Sequence, residues 1–131
     1  MSDKNKQEAN DFLAENSQKE GITTTDSGLQ YRVIKAGDGK QPDSSQTVRV
    51  HYRGRLLDGS EFDSSYRRGT PAEFPVNAVI QGWVEGLQLM NEGSHFEFFI
   101  HPDLGYGERG AGNVIPANAL LIFEVELIKV K

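Results

Sequence analysis

The sequence predicts an α+β domain: a strongly twisted antiparallel β-sheet, bent into a half-barrel, wrapped around one short α-helix and preceded by an N-terminal helix. Three observations carry this expectation. Apolar residues recur at every second position through most of the chain after Ile22. Only one internal stretch, Val79 to Met90, has the apolar period of a helix. Residues 1–20 are polar and helix-favouring, with a narrow apolar stripe of Ala9, Phe12 and Leu13. A twisted sheet has one concave face to cover, and a single amphipathic helix can cover it.

Taken in order, the first helix ends where Gly21 can serve as its C-cap. Alone it can bury little, so it docks weakly, projects into solvent, or belongs to something longer. "GLQYRVIKAGDG" alternates loosely and ends in a turn. After the loop "KQPDSSQ" comes the clearest strand. Val48, Val50, Tyr52 and Leu56 face one way; Arg49, His51, Arg53 and Arg55 face the other. Asp58-Gly59 signals a hairpin, and "SEFDSS" returns with Phe62 on the apolar side. "YRRGTP" reads as a loop or bulge. "AEFPV" reads as a short edge strand, since Pro75 cannot donate to a ladder.

Asn77 is the expected N-cap of the Val79–Met90 helix, with Val79, Ile80, Trp83, Val84 and Leu87 on one face. Gly82 and Gly86 weaken that helix by roughly 0.8–1 kcal/mol each relative to alanine. The expectation is that they let a neighbouring sheet or loop backbone come close. "SHFEFFI" alternates again, and "HPDLGYGERGAGNVIPANA" is a long glycine-rich loop. The last strand points Leu121, Phe123, Val125 and Leu127 inward and Glu124 and Glu126 outward.

At 131 residues the chain fits one domain, divided here into a helical extension (residues 1–20) and the domain proper (residues 21–131). The absence of cysteine excludes disulfides, zinc–thiolate sites and thiol nucleophiles. A net charge of −5 argues against nucleic acid and anionic membranes as partners. "MSDKNKQEAND" is no signal peptide, and the longest apolar run, Ala119 to Phe123, is too short to span a bilayer. The expected setting is the cytoplasm, or the periplasm for a processed form.

Several candidate sites fall away. "GYGERG" (Gly105 to Gly110) fits the dinucleotide-binding glycine pattern, but no helix and no second parallel strand can follow it. His51, His95 and His101 lack metal-ligand spacing. Asp58, Glu61 and Asp63 cluster in one hairpin, but Asp58 belongs to the turn, and Asp63 has a nearer partner in Arg67 or Arg68. The arginines of residues 49–55, with Arg67 and Arg68, make a basic stripe on an acidic chain, which reads as a solvated sheet face. What stands out is an aromatic set: Tyr52, Phe62, Phe74, Trp83, Tyr106 and Phe123. A core alone has no need of a tryptophan and two tyrosines at one focus, because their polar atoms require partners when buried. An apolar, aromatic-lined cleft with few polar groups is a good ligand pocket.

From about Thr47 to Lys131 the chain resembles the FKBP-type peptidyl-prolyl isomerases. The resemblance rests on "VHYRGRLLDGSEFDSS", "VIQGWVEGLQLM", "HPDLGYGERG" and "VIPANALLIFEVELIKV". It covers roughly two-thirds of the chain. "SGLQYRVIKAGDG" is similar to the entry strand of the bacterial Mip-like branch, in which a long helix and a dimerisation domain come first. Residues 1–20 resemble only the end of that helix.

The resemblance implies that Trp83 floors a proline pocket walled by Tyr52, Phe62, Val79, Ile80 and Phe123; Phe74, from the aromatic set, is counted among the substrate-binding residues. It implies that the Tyr106 hydroxyl and the Ile80 backbone N–H face a substrate carbonyl. Asp63, held by Arg68, would sit at the pocket edge, and Val114 and Ile115 on a flap over it. Ala72 and Ala111 stand where small eukaryotic members often carry an aromatic and a histidine, which thins the rim. The implied activity is prolyl cis–trans isomerisation, with no metal and no cofactor. The implied partners are proline-containing polypeptides and macrolide inhibitors (tacrolimus, rapamycin); without the N-terminal module the chain is expected to be a monomer. The alternative is a chaperone-like module that grips unfolded or proline-containing segments with incidental turnover.

Overall fold

The computed structural model describes residues 2–131; the first residue of the expected N-terminal extension lies outside the described residues. Seven strands and three α-helices follow in the order α1 (Ser2–Asn16), β1 (Ile22–Thr24), β2 (Gln30–Lys35), β3 (Thr47–Arg55), β4 (Glu61–Ser64), α2 (Ser65–Arg68), β5 (Ala72–Pro75), α3 (Gln81–Leu87), β6 (His95–Ile100) and β7 (Leu121–Val130). All strand pairs are antiparallel, in the order β1-β2-β6-β7-β3-β4. β3 is the hub. It pairs with β7 along its length, with β5 through Thr47–Val50 and with β4 through Arg53–Arg55. One long strand thus serves two short partners on the same edge, and the gap between β4 and β5 is where α2 sits.

Val48, Val50, Phe98, Ile100, Leu121, Val125 and Leu127 are buried on the concave face together with Leu87 and Trp83 of α3. α3 lies close because it has no side chain where it meets the sheet. A β-carbon on Gly82 would fall 2.8 Å from Ile100 Cγ2, and one on Gly86 2.7 Å from Phe98 Cε1. The glycines therefore admit side chains of β6, not the backbone that the sequence suggested.

The helix is also shorter than its apolar period implies. Val79 and Ile80 are extended (ψ 176° and 155°), Ile80 is the N-cap without a side-chain hydrogen bond, and Asn77 belongs to a 3-10 turn over Val76–Ala78. Apolar periodicity ran past the helix because the two residues before it are also turned inward, from extended backbone.

Two stretches read as irregular carry local structure. "YRRG" closes as α2. Ser64 caps it by accepting from the Arg67 N–H, and Gly69, at φ 77°, ends it in the left-handed conformation. The glycine-rich loop holds 3-10 turns at Pro102–Leu104 and Gly107–Arg109. Asp58-Gly59 turns the hairpin as expected, with Gly59 at φ 89°.

The convex face is covered too. Ala9 and Leu13 of α1 are buried against Phe99, Leu120 and Ile122, with Phe12 and Ile22 packed beside them. Asn16 donates to Gln30 Oε1 at 2.9 Å, and the Gln30 amide donates to the Leu13 carbonyl at 2.8 Å. The first helix therefore docks on the sheet and does not project into solvent.

Gly86→Ala tests the close approach of α3. Its better helix propensity is set against a methyl driven into the Phe98 ring. Overpacking is expected to win and to lower the unfolding free energy by about 1–3 kcal/mol. Urea denaturation would read this, and an unchanged midpoint would show slack at that contact.

Candidate functional site

A pocket of about 420 Å³ opens above α3. Trp83 is its floor. The indole is only 4% exposed, yet it lines the opening, so it belongs to core and site at once. Three rings stand nearly perpendicular to it: Tyr52 at 5.3 Å and 88°, Phe74 at 5.6 Å and 85°, and Phe123 at 5.2 Å and 84°. Edge-to-face contacts of this kind hold a ring in one orientation. Phe62 packs edge-on to Phe123 at 5.4 Å. The Nε1–H of Trp83 is buried with no hydrogen-bond partner among the described residues. An unpaired buried donor costs about 1–3 kcal/mol, so stability alone does not account for a tryptophan here.

Strand irregularity makes the wall. Phe62 and Asp63 are consecutive, and a regular strand would send them to opposite faces. Both line the pocket. The register between β3 and β4 shifts there: Gly54 pairs with Asp63 but Arg55 pairs with Glu61, leaving Phe62 as the extra residue of a bulge. Gly54 makes room for the rings. A β-carbon there would lie 2.6 Å from Phe62 Cζ and 2.7 Å from Phe123 Cε1. Sequence reading passed over Gly54, although its place among inward-facing residues of β3 was the available signal. It also passed over Ala78, which lines the pocket with nothing but its small size to mark it.

Polar groups gather at one edge. The Tyr52 hydroxyl donates to Asp63 Oδ2 at 2.5 Å, and Arg68 Nη1 donates to Asp63 Oδ1 at 2.5 Å. Arg68 Nη2 donates to the Tyr52 hydroxyl at 3.1 Å, and its guanidinium lies 5.6 Å from the centre of the Tyr52 ring. Burial pushes the Asp63 carboxyl up, but the Tyr52 and Arg68 hydrogen bonds outweigh it and hold the group below the usual carboxylate range. Burial, and then the Asp63 hydrogen bond, push the Tyr52 hydroxyl up. Asp63 is thus an ionised acceptor at neutral pH, and Tyr52 a neutral donor. α2 brings Arg68 to this edge. It is pinned from behind by buried Ser65, whose hydroxyl accepts from the Tyr52 N–H at 2.7 Å and lies 2.8 Å from His51 Nδ1.

Ten residues line the pocket, and of the residues singled out from sequence they include Tyr52, Phe62, Asp63, Phe74, Val79, Ile80, Trp83, Tyr106 and Phe123. Tyr106, 39% exposed, comes from the turn after β6. Arg68 acts on the pocket through Asp63 and does not line it. Val114 and Ile115 stand outside the lining. Val114 is 57% exposed, and Ile115 is buried and bridged to Ala111. Ala72 and Ala111 are also outside it.

The discarded sites stay apart. Asp58 caps the hairpin through Ser60, Glu61 pairs with Arg67, and only Asp63 reaches the pocket. His51 stacks on Tyr66, His95 lies beside Glu124, and His101 beside Asn10. Among the described residues no three histidines or carboxylates are grouped to hold a metal ion, and no helix is long and apolar enough to cross a membrane. The basic stripe is compensated in place, Arg49 by Glu73, Arg53 by Glu124 and Arg55 by Glu97.

A family model described as FKBP-type peptidyl-prolyl cis-trans isomerase matches residues 38–128, and one described as the domain amino terminal to that isomerase matches residues 1–33. The FKBP-type peptidyl-prolyl cis-trans isomerase FkpA of Aeromonas hydrophila is 54% identical over 127 residues, 97% of this chain and 47% of that protein. The FKBP-type 22 kDa peptidyl-prolyl cis-trans isomerase of Escherichia coli is 56% identical over 119 residues, 91% of this chain and 58% of that protein. The chain therefore spans about half the length of these curated relatives. A crystal structure of a peptidyl-prolyl cis-trans isomerase from Pseudomonas syringae pv. tomato superposes with a TM-score of 0.93 at 34% identity, covering 100% of this chain and 96% of that one.

The Tyr52–Asp63 hydrogen bond can be read directly. In Tyr52→Phe the carboxylate loses a donor that lowers its pKa, so the Asp63 titration midpoint should move up, as followed by carboxyl-carbon NMR. A depressed folded pKa contributes stability above the unfolded value of about 3.9. That stability is lost as pH falls through the folded value. Stability below about pH 4 should therefore fall more steeply in the wild type than in Asp63→Asn. Parallel curves would show that Asp63 is not held ionised by these partners.

Proposed function

The chain belongs to the FKBP-type peptidyl-prolyl cis-trans isomerase family, and we propose that it accelerates cis–trans rotation about Xaa-Pro bonds of polypeptides by taking the proline ring into the Trp83 pocket. The observation that carries this reading is the pocket itself: an indole floor fixed by three perpendicular rings, with one ionised carboxylate at the edge.

Rotation about a peptide bond meets a barrier of about 18–20 kcal/mol, and proline isomerisation left alone takes tens of seconds or longer. Twisting breaks amide resonance and reduces the charge on the carbonyl oxygen. Water solvates the planar, polar form better than the twisted one. A pocket that replaces this water with aromatic surface favours the twisted amide differentially, and only differential stabilisation raises the rate. No bond is broken, so the chemistry asks for no nucleophile and no proton transfer.

In this reading Trp83 floors the proline ring, and Tyr52, Phe62, Phe74, Val79, Ile80 and Phe123 enclose it. The Tyr106 hydroxyl and the Ile80 backbone N–H donate to a substrate carbonyl. Val114 and Ile115 form a flap at the rim. Asp63, fixed by Tyr52 and Arg68, acts through orientation and local field. The same pocket is proposed to take tacrolimus and rapamycin as inhibitors, and the chain to be a monomer in solution, which light scattering would test.

The deciding experiment is refolding of a protein limited by proline isomerisation. Catalytic amounts of the chain should accelerate the slow phase, and excess rapamycin should abolish the effect; no acceleration would leave only a binding module. Asp63→Ala should remain folded and lose about tenfold in kcat/KM through the loss of its local field, equivalent to ~1.4 kcal/mol of transition-state stabilisation. Wild-type rates in that variant would remove Asp63 from the site.

A further inference from the structure

α1 leaves part of the convex face open. A second cavity, of about 450 Å³, lies between the end of α1 and the β3–β4 hairpin, on the side of the sheet away from Trp83. Its floor is apolar, formed by Phe12 of α1 with Phe99 and Ile122 of the sheet. Leu57 at the hairpin tip makes a lip and is 39% exposed.

One wall is cationic. Arg32 Nη2 lies 2.7 Å from Glu97 Oε1, and Arg55 Nη2 lies 2.9 Å from Glu97 Oε2. Glu97 is only 5% exposed, so this carboxylate is fixed from both sides. The next carboxylate, Glu124, is held by Arg53 at 2.5 Å and stands 3.6 Å from Arg55. Glu61, 4.0 Å from Arg53, is paired with Arg67. Arg32, Arg53 and Arg55 therefore share Glu97 and Glu124, and one positive charge is left over on a chain whose net charge is −5. At the rim, Lys19 and Glu20 offset each other.

Each guanidinium offers five N–H groups in a fixed fork. Glu97 takes two from Arg32 and one from Arg55, which leaves donors on both. Spare guanidinium donors beside aromatic and aliphatic surface fit a carboxylate attached to an apolar group.

We propose that this cavity binds a segment of client polypeptide in which an aromatic or aliphatic side chain neighbours an aspartate or glutamate. The proposal rests on the isomerase reading, because a polypeptide substrate is what brings such a segment to the protein. The apolar side chain sits on Phe99 and Ile122 under Leu57, and its neighbouring carboxylate meets Arg32 and Arg55. A client held at this face keeps its prolines at high effective concentration near the Trp83 pocket.

The test uses the full chain, labelled with nitrogen-15, and the blocked, proline-free peptide acetyl-Gly-Phe-Asp-Glu-Gly-amide. Amide shifts should move at Phe99, Ile122 and Arg55. Leu57→Asp and Lys19→Glu each alter a rim residue, and each should weaken binding about tenfold, the effect of losing one contact of ordinary strength. Leu57→Asp should also raise KM for an acidic protein substrate while leaving turnover of a short proline peptide unchanged. Shifts confined to the neighbourhood of Trp83 and Tyr106, no shifts at all, or binding of octanoate but not of the peptide would each overturn the proposal. Failure of the isomerase reading would show separately, as absent turnover of the short peptide.

Discussion

The contact between α3 and β6 sets the position of everything else on the concave side. Ile100 and Phe98 press onto a helix face from which side chains have been removed, at Gly82 and Gly86. Two glycines cost that helix roughly 1.6–2 kcal/mol against alanine. The close approach they permit lets one short helix reach the sheet that carries Tyr52 and Phe123. Trp83, directly after Gly82, is then carried into the ring cluster. Glycine and tryptophan are adjacent because the smallest side chain brings the helix in and the largest occupies the focus. Gly54 repeats the device on β3, where an absent β-carbon admits Phe62 and Phe123 edge to face.

Much of this was legible in the sequence, because much of it is periodic. Alternation located the inward set on β3, β6 and β7, and two of its aromatic residues, Tyr52 and Phe123, meet at the pocket. What escaped is where alternation breaks. Phe62 and Asp63 line the same pocket only through a bulge, which spacing cannot register. Val79 and Ile80 kept a helical period while lying outside the helix. α2 was hidden in four polar residues whose helical state depends on a serine cap and a left-handed glycine. Local pattern named Tyr106 and paired Asp63 with Arg67 or Arg68; resemblance chose Arg68 and put all three at one pocket, since their grouping depends on contacts across elements.

The faces of the sheet divide the work by charge. Residues that alternate along one strand point to opposite chemistries: Gly54 toward the rings and Arg55 toward Glu97, Phe123 inward and Ile122 outward beneath α1. The basic stripe was expected to be a solvated face. Its arginines do stay partly exposed, and carboxylates from other strands pair with them there, while α1 shields their apolar neighbours. Exposed ion pairs are each worth little. Glu97 differs because it is buried, and removing one partner from a buried pair leaves a charge without compensation. The arginines are therefore part of how the convex face can hold a buried carboxylate beside a helix.

An ionised carboxylate in an apolar pocket is a liability unless its charge is spent locally. Asp63 meets that condition at the pocket edge, where Arg68 balances it and Tyr52 supplies a second hydrogen bond. Both partners come from elements fixed by the same junction. Tyr52 belongs to β3 and Arg68 to α2, and Ser65 ties the two together through the Tyr52 backbone. The charge is thereby balanced from within the chain, without a mobile counterion. A substrate amide would meet a field of fixed direction, and fixed dipoles cost no reorganisation as the amide twists. In the proposed isomerisation the aromatic floor and the tethered acid are one device: the first would displace water, and the second would keep a defined polarity in its place.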